Sequence, residues 1–285
     1  MFPQVDTRVP GEVEEQVFAI YRKLFPKGHR GFVPQAFEWA ESCFNGKIEG
    51  YQAIDARYHD FEHTLQGTLC LARLLAGRQA AQAVPVVDEQ SFQLALLAIL
   101  FHDTGYLKTT EDGEGTGAKY TPIHVGRSAT FAKIFLSGKG YRDADIVAVQ
   151  NMINCTGVAT DLESIPFQSD LERSLGFALG TADLLGQMAA RDYVDKLPVL
   201  YLEFAEAARF NSGKPVRFNF QSAEELMRNT PLFWENYVLP KINCEFEKLY
   251  RFLNDPYPDG DNQYIHRIEK NMIRLRDKLG QPARG

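Results

Sequence analysis

Along the 285-residue chain the apolar side chains recur at intervals of three and four rather than two, and short clusters of Gly, Pro, Asp and Asn interrupt them. That spacing places one apolar face on each of a series of helices, so the chain is expected to be all-α. It predicts helices over 12–24, 35–43, 61–80, 89–103, 122–136, 143–154, 169–187 and 190–210, the last kinked at Pro198. Thr121-Pro122 reads as an N-cap followed by proline at the first helical position, and Thr230-Pro231 repeats the pattern. Ser222 with Glu225 reads as a capping box, and Pro240 is expected to break or kink the segment after it. Between Asn211 and Phe220, Gly213, Pro215 and the alternating Val216, Phe218 and Phe220 mark a loop or a short strand pair, and the best candidate for a boundary.

Composition narrows the function classes. The charge balance of 31 Lys+Arg against 37 Asp+Glu argues against a large nucleic-acid surface, which needs clustered cations on phosphates. No window approaches the ~20 apolar residues of a membrane span, and the first residues are acidic without an apolar core, so no membrane partner is expected and the protein reads as cytoplasmic. Cys43, Cys70, Cys155 and Cys244 form no CxxC pair and read as buried thiols in a reducing compartment. Trp39, Trp234 and the phenylalanines read as core.

Four of the six histidines fall in three short segments: YHDFEHT (58–64), LFHDTG (100–105) and PIH (122–124). His59 and His63, four apart, share one face if both are helical. His102-Asp103 ends the run FQLALLAILFHD, which is uncharged before Asp103, and Asp183 is the single charge in GFALGTADLLGQM. An isolated ionised carboxylate in such a helix costs several kcal/mol or shifts its pKa until neutral, whereas coordination to a cation compensates it. Any one of these residues is explained as a satisfied core group or a cap. The ordered set His63, His102, Asp103 and Asp183 points to a metal site.

At these residues the sequence resembles the HD-domain superfamily of metal-dependent phosphohydrolases, whose signature is an ordered His, His-Asp and Asp on an all-α scaffold. The resemblance covers 51–207 and implies an HD-domain helical bundle over 51–210, with a helical extension at 1–50 and additional C-terminal helices over 211–285 packed on the same globule. It implies His63, His102, Asp103 and Asp183 as metal ligands. YHDFEHT is also similar to the YHNxxHA segment of cyclic nucleotide phosphodiesterases, which makes His59 the general acid. Asp60 stands where that family has Asn, and HDTGY lacks its downstream His. HVGRSA, from His124, resembles a helix start that holds a second metal in several HD subfamilies. The further His expected there is missing from VAVQNMINCTG, and His124 reads equally as a ligand of that second metal or as a residue that caps the lid or binds substrate phosphate.

The activity implied is hydrolysis of a phosphomonoester or phosphodiester, nucleotide-like, by metal-activated water, with Asp103 orienting or bridging and His59 protonating the leaving oxygen. Mixed nitrogen and oxygen donors suit Mn, Fe, Ni, Co or Zn, as one or two ions, with Mg admissible at a second site. Lys108, Lys119 and Arg127 flank the motifs and are expected either to neutralise substrate phosphate or to be ordinary solvated charges; Arg191 and Tyr193 are weaker candidates. The glycine-rich stretch 104–120 reads as a lid. Two rival classes remain: a di-iron oxygenase, which needs a fuller His complement, and a non-catalytic metal- or nucleotide-sensing domain. From Tyr264 a basic amphipathic helix is expected to pack on its own domain or on a second subunit of a homodimer.

Overall fold

A computed structural model describes residues 2–211 and 220–280. Among them are ten α-helices: α1 (Pro10–Leu24), α2 (Phe32–Phe44), α3 (Phe61–Ala80), α4 (Glu89–Phe101), α5 (His124–Gly138), α6 (Asp143–Asn154), α7 (Asp170–Met188), α8 (Tyr193–Phe210), α9 (Ala223–Phe233) and α10 (Gln263–Lys278). The strand content described is one antiparallel pair of two-residue segments, Asn254–Asp255 with Asp261–Asn262. The protein is all-α, as its apolar periodicity requires. No described helix is long and apolar enough to cross a membrane.

Several helix starts follow from their capping residue. Asp60 accepts the His63 N–H at 2.9 Å, Asp88 accepts that of Ser91 at 2.7 Å, and Ser169 accepts that of Glu172 at 3.1 Å. Each such cap is worth about 1 kcal/mol. Ser222 caps α9 through the Glu225 N–H at 3.1 Å, but the Glu225 carboxylate turns back to the N–H of Gln221 rather than of Ser222, so the box is displaced by one residue.

The centre of the molecule is α4, buried from Leu94 to Phe101, with α3 and α7 packed across it. α3 and α7 approach closely at glycines. A Cβ on Gly186 would lie 2.7 Å from the Gln66 carbonyl oxygen, and one on Gly67 would press on Ile99 beside the Asp183 backbone. The side chains of His63 and Asp183 can converge because the helix backbones come this near. α1 packs on α3 through Val13, Val17 and Tyr21, and α10 buries Tyr264, Ile268, Met272 and Leu275 against the α7–α9 side. Buried apolar residues from Val13 to Leu275 form one core.

Four local expectations are corrected. Thr121-Pro122 does not open a helix: a 3-10 segment (Gly117–Ile123) capped by Thr116 contains both residues, and α5 begins only at His124. Thr230-Pro231 lies inside α9, where the Thr230 hydroxyl donates to the Leu226 carbonyl at 2.9 Å. Pro240 does not break the chain's helical path, which continues through it between two π-helical turns, Trp234–Val238 and Lys241–Glu245. Cys244 is exposed, while Cys43, Cys70 and Cys155 are buried free thiols. The expected loop or strand pair at 211–220 falls, over 212–219, outside the described residues.

Candidate metal centre

α4 ends at Phe101, so His102 and Asp103 leave the helix at its buried C-terminus and turn under the core. The His102 Nδ1–H donates to the Ile99 carbonyl at 2.7 Å. A carbonyl can only accept, so in the neutral ring Nε2 carries the free lone pair, and it faces inward. Gly105 follows because the turn docks on the start of α5: a Cβ there would meet the His124 carbonyl oxygen at 1.9 Å. His63 stands in the first turn of α3, and Asp183 lies within α7.

These four side chains meet at one point. His63 Nε2 is 3.2 Å from Asp103 Oδ2 and 3.4 Å from Asp183 Oδ1, and His102 Nε2 is 3.3 and 3.4 Å from the same two oxygens. His102 Nε2 and Asp103 Oδ2 are buried without a hydrogen-bond partner among the described residues, a state that costs about 1–3 kcal/mol per group. Such separations are those between neighbouring donors of an ion bound at about 2.0–2.2 Å. Donor type, spacing and the orphaned atoms all fit a divalent transition metal.

The electrostatics agree. Burial opposes the charged form of each group, yet His102 and His63 hold the Asp103 and Asp183 carboxyls below the usual range. In return, against the same burial, Asp103 and Asp183 push His63 up to about 10 and raise His102. Without a cation the raised His63 favours its protonated form, which compensates the carboxylates, and His102 is shifted in the same direction. A divalent ion would replace that proton.

Above this cluster lies a second layer. The His124 Nδ1–H donates to the Thr121 carbonyl at 2.6 Å, and Nε2 lies 3.8 Å from Asp103 Oδ1, the oxygen not facing His63 and His102. Burial lowers the pKa of His124, which favours a neutral ring with a free lone pair. His59 Nδ1 is 2.6 Å from Glu203 Oε2. The phenol ring of Tyr106 stacks between the two imidazoles, with centroids 4.6 Å from His59 and 4.8 Å from His124. Ligand atoms of His59, His63 and Asp103 also lie within 4.8 Å of one another, so Asp103 belongs to both layers.

The expected site histidines and aspartates are therefore brought together, and the expected cations are not. Lys108 is buried, bound to Asp55 at 2.7 Å and to the Gly115 carbonyl at 3.1 Å. Lys119 reaches the Glu114 carbonyl at 3.1 Å and Asp112 at 3.5 Å. Arg127 donates to the carbonyls of Gly105 and Leu107 at 2.8 and 2.6 Å and stacks on Tyr120. None of the three lines the cavity over the site. Their charge instead secures the 104–120 segment, which is a packed strap rather than a lid: Tyr106 is fully buried, and Thr116 and Gly117 are tied to Glu206 and Asp55. Tyr193 does line the cavity and Arg191 does not.

Sequence reasoning missed Glu203, Tyr106 and Gln187. Glu203 is 4% exposed, accepts the Tyr58 N–H at 2.7 Å and stays ionised below the usual range despite burial, because His59 and two backbone amides hold it. A signal existed, since Glu203 sits on the Leu200, Phe204 and Ala207 face of α8, an acid within an apolar stripe like Asp183. Gln187 accepts from the Tyr58 hydroxyl at 2.8 Å and reaches back to Asp183. Asp60 also finds its explanation: as the cap of α3, paired with Lys196 at 3.3 Å, it does a cap's work as well as Asn would.

Fold and site together define an all-α protein with buried His/Asp clusters that could hold a metal. The chain belongs to the Npun_R2479-like family, whose model matches residues 109–273, more than half of the chain. That stretch includes His124, Asp183 and Glu203, while His59, His63, His102 and Asp103 precede it. No curated protein matches the chain.

Proposed function

We propose that this protein is a metal-dependent phosphohydrolase of the HD type, acting on a phosphomonoester or phosphodiester. The observation that carries the reading is the convergence of His63, His102, Asp103 and Asp183, of which His63, Asp103 and Asp183 line a cavity together with His59 and His124. The resemblance of the ordered His, His-Asp and Asp to the HD superfamily supports the reaction class. The four residues would hold a Mn, Fe, Ni, Co or Zn ion, which would supply Lewis acidity and activate a water.

The chain's own residues set the rest of the chemistry. His102, with its Nδ1–H tied to Ile99, offers Nε2 alone. Asp103 remains an anion and directs its second oxygen at His124, so that residue aligns the two layers. His59 has Nδ1 committed to Glu203, which leaves Nε2 to carry a proton to the departing ester oxygen. Glu203 acts through His59: it fixes the ring and supplies the counter-charge while Nε2 holds that proton.

The test is metal analysis of protein purified without added metal or chelator, on wild type, Asp103→Asn and Asp103→Ala, with circular dichroism to check folding and a phosphodiester and nucleotide hydrolysis panel. Bound transition metal and hydrolysis in wild type, both lost in folded variants, support the proposal. Near-zero metal in wild type after reconstitution with Mn, Fe or Zn overturns it. Bound metal with no turnover on any ester leaves a metal-binding module and also overturns the enzymatic reading.

A further inference from the structure

The cavity over the metal centre has a volume of about 570 Å³, within the range of small-molecule sites. Its floor is polar and its walls are not. Leu197, Leu200, Phe204, Phe220, Leu226 and Phe233 are among the apolar residues that line it, and Phe204 and Phe220 stack at 6.2 Å. Among the described lining residues none is Lys or Arg, and the three nearby cations are bound to carboxylates and carbonyls of the 104–120 strap and its neighbours.

Several of the polar wall residues are already engaged, while Thr160 and Tyr193 also line the cavity. The hydroxyls of Thr121, Thr156 and Thr230 donate to the carbonyls of Ala118, Ile153 and Leu226 at 2.7, 2.9 and 2.9 Å. The Asn229 amide donates to the Glu225 carbonyl at 2.8 Å, and Gln187 is held between Tyr58 and Asp183. A polyphosphate needs fixed cations, which the described walls do not offer, and most of the side chains that line the cavity away from its His and Asp residues are apolar.

We infer that the substrate is a low-charge phosphoester of an apolar alcohol, with the phosphoryl group at the metal residues and an alkyl or aryl portion against the α8–α9 wall. The inference rests on the phosphohydrolase reading for its head group and on the cavity walls alone for its tail. It runs against the nucleotide-like substrate that the motif resemblance implies.

Because turnover would confound head with tail, the test is binding of non-hydrolysable phosphonates to the Mn-loaded protein by calorimetry. Methyl-, butyl- and hexylphosphonate are compared with AMP and ATP. Each buried methylene should tighten binding about threefold to fourfold, so hexylphosphonate should bind at least about a hundredfold better than methylphosphonate. AMP and ATP should bind no better than methylphosphonate. Leu200→Asn and Phe233→Asn, at half-buried wall positions, should each flatten the chain-length series by about tenfold while bound Mn is unchanged.

A neutral fluorescent probe, N-phenyl-1-naphthylamine, reads the wall without any head group and should bind both metal-free and loaded protein. Equal affinity along the phosphonate series, or tighter binding of AMP or ATP, overturns the inference and leaves the phosphohydrolase reading intact. Probe binding that falls in the wall variants, with no phosphonate bound, overturns the phosphoryl head group and with it the phosphohydrolase reading, while the apolar wall is upheld.

Discussion

The two layers of the centre are built in opposite ways. In the lower one, His63, His102, Asp103 and Asp183 are buried on α3, α7 and the end of α4, and each imidazole nitrogen faces an oxygen of both carboxylates across 3.2–3.4 Å. In the upper one, His59 and His124 line the cavity, are separated by the ring of Tyr106 and are aimed by Glu203 and the Thr121 carbonyl. The lower layer has charge that only a cation or protons can balance. In the upper layer His59 and two backbone amides hold the Glu203 carboxylate, and the buried Tyr106 hydroxyl has no hydrogen-bond partner among the described residues. Unmet buried atoms where histidines and carboxylates converge fit an ion, whereas rings at a cavity wall are placed to meet whatever enters it.

The sharpest way to break the comparison is to delete one ligand from each layer. His63→Ala should abolish tight metal binding and lower turnover by about a thousandfold or more, whereas His124→Ala should leave one ion bound and remove at most a second, weaker one. Metal analysis at matched protein concentration reads the difference. Equal metal loss in both variants would remove the distinction between the layers.

Next in size is the proton path. His59→Ala should cost about a hundredfold in kcat with metal content intact, and Glu203→Gln about tenfold to a hundredfold. Glu203→Gln should also shift the pH–kcat profile, whereas a purely structural role would lower stability and leave the profile in place. Metal lost from His59→Ala would reassign that residue to the ligand set.

The pH dependence of the metal-free protein sharpens the contrast from the side of the lower layer. His63, raised to about 10 when folded, contributes stability in full below its unfolded value of about 6.5 and loses it as pH rises toward 10. Asp103 and Asp183, held low, contribute above about 3.9 and lose it as pH falls. Metal-free protein should therefore have its highest Tm from this cluster between about pH 4 and 6.5, and Mn should raise Tm more at pH 8 than at pH 6. Calorimetry in buffers of different ionisation enthalpy at pH 7 should show at least one proton released per ion. Zero release would mean that the imidazoles are neutral before metal binds.

The smallest effects belong to the cations of the strap. Lys119→Ala should leave KM unchanged, and Arg127→Ala should leave KM near wild type while lowering stability by roughly 1.5–3 kcal/mol, through the loss of two charge-assisted bonds to carbonyls. Thermal unfolding and steady-state kinetics separate the two. A large rise in KM for either variant would return it to the substrate site.

Helix class and the lower cluster were legible in the sequence for one reason: both follow from local pattern. Spacings of three and four fix which residues share a face, so α3 and α6 have the expected bounds, and an uncharged run ending in His102-Asp103 or containing Asp183 announces its own cost. Where a local motif misled, a neighbour decided. Thr230-Pro231 has the chemistry of a helix start, but a cap at Ser222 had already opened α9 and its burial kept the helix going.

Which partner each charge meets is settled by packing instead. Glu203 is 144 residues from His59, and Asp55 is 53 residues before Lys108. No spacing rule joins such pairs, because the distance between them is set by how α8 and the strap pack on the core. Residue order alone specifies an all-α protein with four buried His and Asp side chains whose charge needs compensation. The assembled helices add that the cations flanking the motifs secure a strap, that Glu203 aims His59, and that apolar walls stand over the candidate metal residues. Local periodicity is written in the order of residues; the pairing of charges across the fold depends on which helix faces meet.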